Sequence, residues 1–159
     1  MKERNKAVPA VYLILEKDGK ILFGTRQNTG YMDGKSQVPA GHVELGEMPT
    51  EALVREAKEE VGIDIDRNAL EFVHLSYRPK HDVTGDRVDI FFRVHAWKGK
   101  VTNMEPEKCS ELSWVDPHEL PENTVPHVKE AINCIYGKGV PFRELDGSWL
   151  KKNGVPISA

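Results

Sequence analysis

The sequence predicts a mixed β-sheet sandwiched between α-helices, in the α/β or α+β class. Two observations lead there. Short apolar runs rich in β-formers, separated by turns containing Gly, Pro and Asp, stand on both sides of a helical segment near residues 49–61. A second amphipathic helix follows the last of these runs, at about residues 125–136. A chain of 159 residues is expected to form one compact domain, with a core at about 8–136 and a tail from 138 to 159.

Taken in order, Val8 to Leu15 is the first strand, and Asp18-Gly19 between apolar runs is a hairpin signal that returns the chain through Ile21 to Arg26. Gln27 to Lys35 has two glycines and little periodicity and reads as a loop. Val38 to Gly41 reads as a short edge segment, because Pro39 cannot donate to an interior ladder. From Pro49 or Thr50 to Val61 the period is helical: Leu53, Ala57 and Val61 form an apolar stripe, and Gly62 stops the helix. Glu71 to Arg78 is a strand in which Val73, Leu75 and Tyr77 alternate with His74 and Ser76. Pro79 to Asp86 is a polar loop whose flanking Asp82, Asp86 and Arg87 read as solvated. Arg87 to Trp97 is the clearest strand, with Val88, Ile90, Phe92, Val94 and Ala96 as its apolar face. A short strand at Glu111 to Val115, one helical turn within Asp116 to Glu122, and a helix from Val125 to Tyr136 complete the core. Phe142, Leu145, Trp149 and Leu150 in the tail would pack on the domain or on a partner.

Composition narrows the function. A net charge of −3 gives no global basic surface, so nucleic acid is not an expected partner, although a nucleotide-sized anion remains compatible with a local site. The N-terminal apolar run is short and soon interrupted by Glu16-Lys17-Asp18, which predicts neither a signal peptide nor a membrane span and points to the cytoplasm. Cys109 and Cys134 have no metal-ligand spacing and read as buried thiols.

The densest chemistry lies in Arg55-Glu56-Ala57-Lys58-Glu59-Glu60-Val61-Gly62. Glu56, Glu59 and Glu60 fall at i, i+3 and i+4, so their carboxylates crowd one helix face. Such a cluster is ordinarily a solvated acidic face. It is also the donor set that binds hard cations, and a cation bound there would offset the repulsion. The fixed spacing upstream favours the second reading. Gly41, five residues, Glu47, seven residues, then Arg55-Glu56-Ala57-x-Glu59-Glu60-x-Gly62-Ile63 match every specified position of the Nudix box. Average residue usage puts such a match at a given start at roughly one in a billion. The chain therefore resembles the small Nudix (MutT-like) hydrolases over about residues 8–136, with Ala40-Gly41 where many relatives have Gly-Gly.

The resemblance implies a Nudix fold and a Mg²⁺-dependent hydrolase, with Mn²⁺ as an alternative cofactor, acting on a nucleoside diphosphate linked to another moiety. It implies Glu56, Glu59 and Glu60 as metal ligands, one of them also a base, together with the Gly41 carbonyl. Arg55 and Glu47 would pair to hold the loop against the helix. A further acidic ligand would come from Glu107 first and Glu105 second. Asn123 is similar to the asparagine that binds a purine base in MutT-type enzymes, though it also stands where the last helix needs a cap. Phe23, Tyr31 and Trp114 are aromatic rings that stack a base or pack the core, and Arg26 joins Phe23 and Tyr31 as a substrate contact. His42 reads equally as a phosphate contact or an ordinary loop residue, while His74 and His95 read as packed or exposed. Nucleoside triphosphates, including oxidised purines, stand first among substrates. ADP-ribose, sugar nucleotides and dinucleoside polyphosphates follow. A nucleotide-sensing module without hydrolysis would not need all the helix carboxylates, and RNA decapping would call for a basic surface. A monomer or homodimer is the state the resemblance implies.

Overall fold

A computed structural model describes residues 1–80 and 82–157. His81 of the loop predicted at 79–86, and residues 158–159 of the tail, lie outside the described residues.

Strand β1 (Ala7–Lys17) turns at Asp18 and Gly19, with φ of 52° and 75°, into β2 (Lys20–Arg26). Both central residues of a two-residue I′ turn need positive φ, which is why Asp-Gly stands there. The predicted edge segment at 38–41 is instead split into β3 (Ser36–Gln37) and β4 (Ala40–His42). Pro39, with no N–H to give, sits between them, and its carbonyl accepts from the Leu13 N–H at 2.9 Å. Helix α1 (Pro49–Val61) opens with Pro at its first position. There the Glu51 carboxylate accepts from the Met48 N–H at 2.8 Å. It stops at Gly62, whose φ of 71° suits glycine and whose N–H reaches the Lys58 carbonyl.

A 3₁₀ turn at Arg67–Ala69, which the sequence reading leaves out, is started by Asp66 accepting from the Asn68 N–H. Strands β5 (Glu71–Arg78), β6 (Asp86–Val94) and β7 (Cys109–Val115) follow. Residues 116–122 form turns without the predicted helical turn. Helix α2 (Pro126–Tyr136) begins after Val125, so neither Asn123 nor Thr124 caps it. The tail folds back as β8 (Phe142–Glu144) and α3 (Gly147–Lys152).

The main sheet runs β4-β1-β6-β5-β8: β1 is parallel to β6 from Ala7↔Asp86 to Leu15↔Val94, β5 is antiparallel to β6, and β8 is parallel to β5. A smaller sheet joins β2 to the end of β1, to β3 and to β7. Helix α1 covers one face of β1 through Leu53, Ala57 and Val61 against Val11, Leu13, Leu15, Phe92 and Val94. Helix α2 covers the other through Val128, Ala131 and Ile132 against Tyr12, Ile14, Phe23 and Phe91. The sheet is therefore sandwiched as predicted, and this corrects two readings. On β5 the buried residues are His74, Ser76 and Arg78, and on β6 Arg87 and Asp89 are buried on the same face as Phe91, so Arg87 is not solvated. Strand β6 also stops at Val94, short of the predicted Trp97. His95 is exposed beside Glu16, and Cys109 and Cys134 are free and half-buried rather than interior.

Leu53 is fully buried at the centre of the α1 interface. Leu53→Ala should destabilise the protein by about 2–5 kcal/mol, against under about 1.5 kcal/mol for Leu53→Met. Urea unfolding of both variants measures this, and equal losses would contradict the packing.

Candidate active site

The apolar stripe of α1 fixes how the helix is rolled against the sheet, and the flank beside that stripe presents Glu56 and Glu60 to β4, with Glu59 further round toward solvent. The backbone of β4 comes unusually close. A Cβ built on Gly41 would collide with the Glu56 carboxyl group, so a larger residue here would push the Glu56 side chain out of its present place. The Glu60 carboxylate accepts the Ala40 N–H at 3.3 Å and has no ion-pair partner among the described residues.

Arg55 ties the loop 42–47 to the helix. Its Nε and Nη2 donate to the two carboxylate oxygens of Glu47 at 2.8 and 3.0 Å, and Nη2 also donates to the His42 carbonyl at 3.1 Å. Its Nη1 donates to Glu56 at 2.9 Å and Glu59 at 3.2 Å. Glu47 in turn accepts the Glu44 N–H at 2.8 Å. The two-pronged bond from Arg55 pulls the Glu47 carboxyl down to about 2. Burial raises Glu56, with Glu59 and Glu105 adding to the effect and Arg55 opposing it. Glu60 is pushed up to about 8, first by burial and then by Glu56.

Arg55, Glu56, Glu59 and Glu60 line a cavity of about 590 Å³, together with Gly41, Arg26 and Glu105, while Glu47 stands behind Arg55 outside its wall. Glu60, half-buried and without an ion-pair partner among the described residues, stands beside two further carboxylates, the donor type that hard divalent cations take, but among the described residues no three such side chains converge on one point as they stand. The Arg55 guanidinium lies between Glu56 and Glu59 and holds both. Glu105, not Glu107, lines the cavity; Glu107 is exposed, and its carbonyl accepts from the Asn28 side chain at 3.0 Å.

A second cavity, of about 340 Å³, opens on the other side of β4 and shares Arg26, Gln37, Ala40 and Gly41 with the first. Its remaining wall includes Tyr12, Tyr31, Arg78, Arg87 and His127. Arg78 donates from Nε to Asp89 at 2.6 Å, and the Tyr12 hydroxyl donates to the same carboxylate at 3.2 Å. Burial and the nearby Arg78 and Arg26 guanidiniums push His127 well below the usual histidine range, so its imidazole is neutral. Among the predicted substrate contacts, Arg26 lies on both cavities and Tyr31 on the second. Phe23 is fully buried in the core beneath α2 and has no face to offer a base. The Asn123 amide nitrogen donates to the Gly34 carbonyl at 3.1 Å and the Ser36 hydroxyl at 3.2 Å, which ties that nitrogen to the chain. Trp114 stacks on Trp97 with centroids 6.3 Å apart.

The model of the NUDIX domain matches residues 4–133. The chain belongs to this family. As a Nudix hydrolase it is 36% identical over 123 residues to a protein named ADP-ribose pyrophosphatase from Methanocaldococcus jannaschii, covering 76% of this chain and 70% of that one. It is 33% identical over 107 residues to one named 8-oxo-dGTP diphosphatase from Escherichia coli, covering 67% of this chain and 79% of the other. Among solved structures, a MutT NUDIX hydrolase from Burkholderia pseudomallei superposes with a TM-score of 0.70 at 23% identity, over 80% of this chain and 97% of that one. The likeness to that structure concerns the fold.

Sequence reasoning does not single out Tyr12, Arg78, Asp89 or His127 of this Nudix domain. The available signal was the run of polar residues at every second position of β5 and β6, which a sheet covered on both faces must bury on one side.

Between the ordinary carboxyl value of 4.5 and about 8, the folded state holds a proton on Glu60 that the unfolded state has lost. Stability of the metal-free protein should therefore fall as pH rises through this window. Thermal midpoints in EDTA from pH 5 to 8 should drop in the native sequence and less in Glu60→Gln. Parallel profiles would show that Glu60 is not the group responsible.

Proposed function

We propose that this Nudix hydrolase uses a divalent cation, Mg²⁺ first and Mn²⁺ as the alternative, to cleave the diphosphate of a nucleoside diphosphate linked to another moiety. The observation that carries this reading is the Glu60 carboxyl, pushed up to about 8 and without an ion-pair partner among the described residues, next to Glu56 and Glu59 on a rigid helix. Glu56, Glu59, Glu60, Glu105 and the Gly41 carbonyl would hold the cation, which when bound lowers the pKa of water and offsets charge on a bridging oxygen.

The chain's own residues supply the rest. Arg55 and Glu47 fix the loop and helix relative to each other, which matters because misplacement by about 1 Å costs on the order of 100-fold in such reactions. Arg26, at the junction of the two cavities, faces the phosphates with a positive charge. Water adds to one phosphorus as the bond from that phosphorus to the bridging oxygen breaks, and the water's proton passes to a carboxylate of the α1 cluster. The moiety beyond the diphosphate occupies the second cavity. With the Asn123 amide nitrogen held by Gly34 and Ser36, its oxygen is the atom that would accept from a base, and triphosphates, ADP-ribose and other diphosphate compounds stay together as candidate substrates.

A panel of nucleoside triphosphates, oxidised purine forms, ADP-ribose, sugar nucleotides and dinucleoside polyphosphates, assayed by product release with Mg²⁺ or Mn²⁺, tests the proposal. Turnover is expected with metal and none in excess EDTA, and failure to cleave any diphosphate compound would refute it. Glu60→Gln should lower turnover by about 100-fold or more while the protein still folds. An unchanged rate would remove Glu60 from the site.

A further inference from the structure

The second cavity is walled by more positive charge than the neighbouring carboxylates offset. In the β5–β6 ladder Arg78 stands directly opposite Arg87, and the two are 6% and 9% exposed. Like charges facing one another across a sheet are destabilising, and a buried guanidinium without a counter-charge is costly. Among the described residues, two carboxylates stand near these cations: Asp89, which Arg78 takes at 2.6 Å, and Asp82, which lies close enough to feel Arg87 and Lys80 without forming an ion pair with Arg87. Arg87 makes no ion pair among the described residues. Its Nη1 donates to the Gly85 carbonyl at 2.7 Å and the Asp86 carbonyl at 3.3 Å. Two further cations stand at the mouth, where the Arg26 guanidinium and the Lys80 ammonium lie 5.6 and 5.5 Å from the centre of the Tyr31 ring. Lys80 reaches Asp82 only at 3.9 Å.

An uncharged base or sugar gives Arg87 nothing to neutralise it. A phosphate does, and its oxygens match the planar fork of a guanidinium. The cavity, at about 340 Å³, is also larger than a phosphate alone needs, which leaves room for the sugar that bears it. We propose that this cavity binds a phosphomonoester carried by the substrate's far moiety, beyond the diphosphate that is cleaved. The inference rests on the reading that cleavage occurs beside the α1 carboxylates, since the two cavities share Arg26, Gln37, Ala40 and Gly41. It narrows the substrate class from any nucleoside diphosphate derivative to those with an additional phosphate on a sugar.

Matched diphosphates test it without assuming the natural substrate. NADPH against NADH, and coenzyme A against its 3′-dephospho form, differ within each pair by one phosphomonoester. In at least one pair the phosphorylated member should be favoured by about tenfold or more in kcat/KM, chiefly through KM. In Arg87→Met that ratio should fall to within about twofold of unity. Lys80→Gln, at the mouth, should lower the ratio several-fold and serves if Arg87→Met does not fold. Ratios near unity in the native sequence for both pairs, or a ratio untouched by either variant, would overturn the proposal. Calorimetry with ribose 5-phosphate in EDTA separates this inference from the cleavage reading. Binding that Arg87→Met or Lys80→Gln weakens supports the anion site even if no diphosphate is turned over, and absence of binding to the native protein refutes it.

Discussion

Arg55 holds together two things that would otherwise separate. Loop 42–47 and the acidic face of α1 both carry carboxylates, and their mutual repulsion works against bringing them side by side. One guanidinium spans the gap, with two bonds to Glu47, one to the His42 carbonyl, and one each to Glu56 and Glu59. Because its donors are planar and fixed in direction, the arginine sets both distance and angle, which an ammonium on a flexible stem would not do. The approach of Gly41 to Glu56 depends on that clamp, and so does the shape of the larger cavity.

The sheet divides the labour between its faces. Toward α1 it is apolar on β1 and β6, and this seats the helix that carries the acidic groups. Toward α2 it is mixed, with Tyr12 stacked on Phe91 at 4.5 Å and, further along the strands, the arginines of the second cavity. Strand β4 lies between the two cavities, and Ala40 and Gly41 belong to both. An acidic chamber and a basic one thus share two residues of β4, and a substrate with negative charge at two places would be drawn to both by different means: through a cation in one and directly in the other.

What could be read from the sequence follows the range of the interactions involved. The site around α1 is encoded within 23 consecutive residues from Gly41 to Ile63, where helix periodicity, the Gly62 stop and the spacing to Glu47 are all local. The strands are legible for the same reason, and the Asp18-Gly19 turn fixes its own hairpin. The facing of β5 and β6 is not, because alternation gives two faces without saying which is buried, and here a helix or another element covers each. Arg78 and Arg87 become neighbours through pairing between strands, and His127 joins them from a helix about 40 residues further on. Glu105 and Glu107 illustrate a loop without a period, in which two residues of shift decide which carboxylate enters the cavity. Phe23 reads as a stacking ring in sequence because an aromatic residue on a strand looks the same whether α2 covers it or solvent does.

The tail has a consequence for how the molecule behaves among its copies. The match to the NUDIX domain ends at residue 133, yet β8 continues the main sheet by pairing Phe142–Glu144 with Leu75–Tyr77 of β5. Without that strand, β5 would end the sheet with a row of unpaired N–H and C=O groups, the kind of edge onto which other chains add strands. The tail meets that demand from within the chain, and Leu145, Leu150 and Val155 lock it in place against Met32. Cover for the β5 edge is therefore supplied by residues that the catalytic motif does not include, and the edge that is left, β8, is only three residues long.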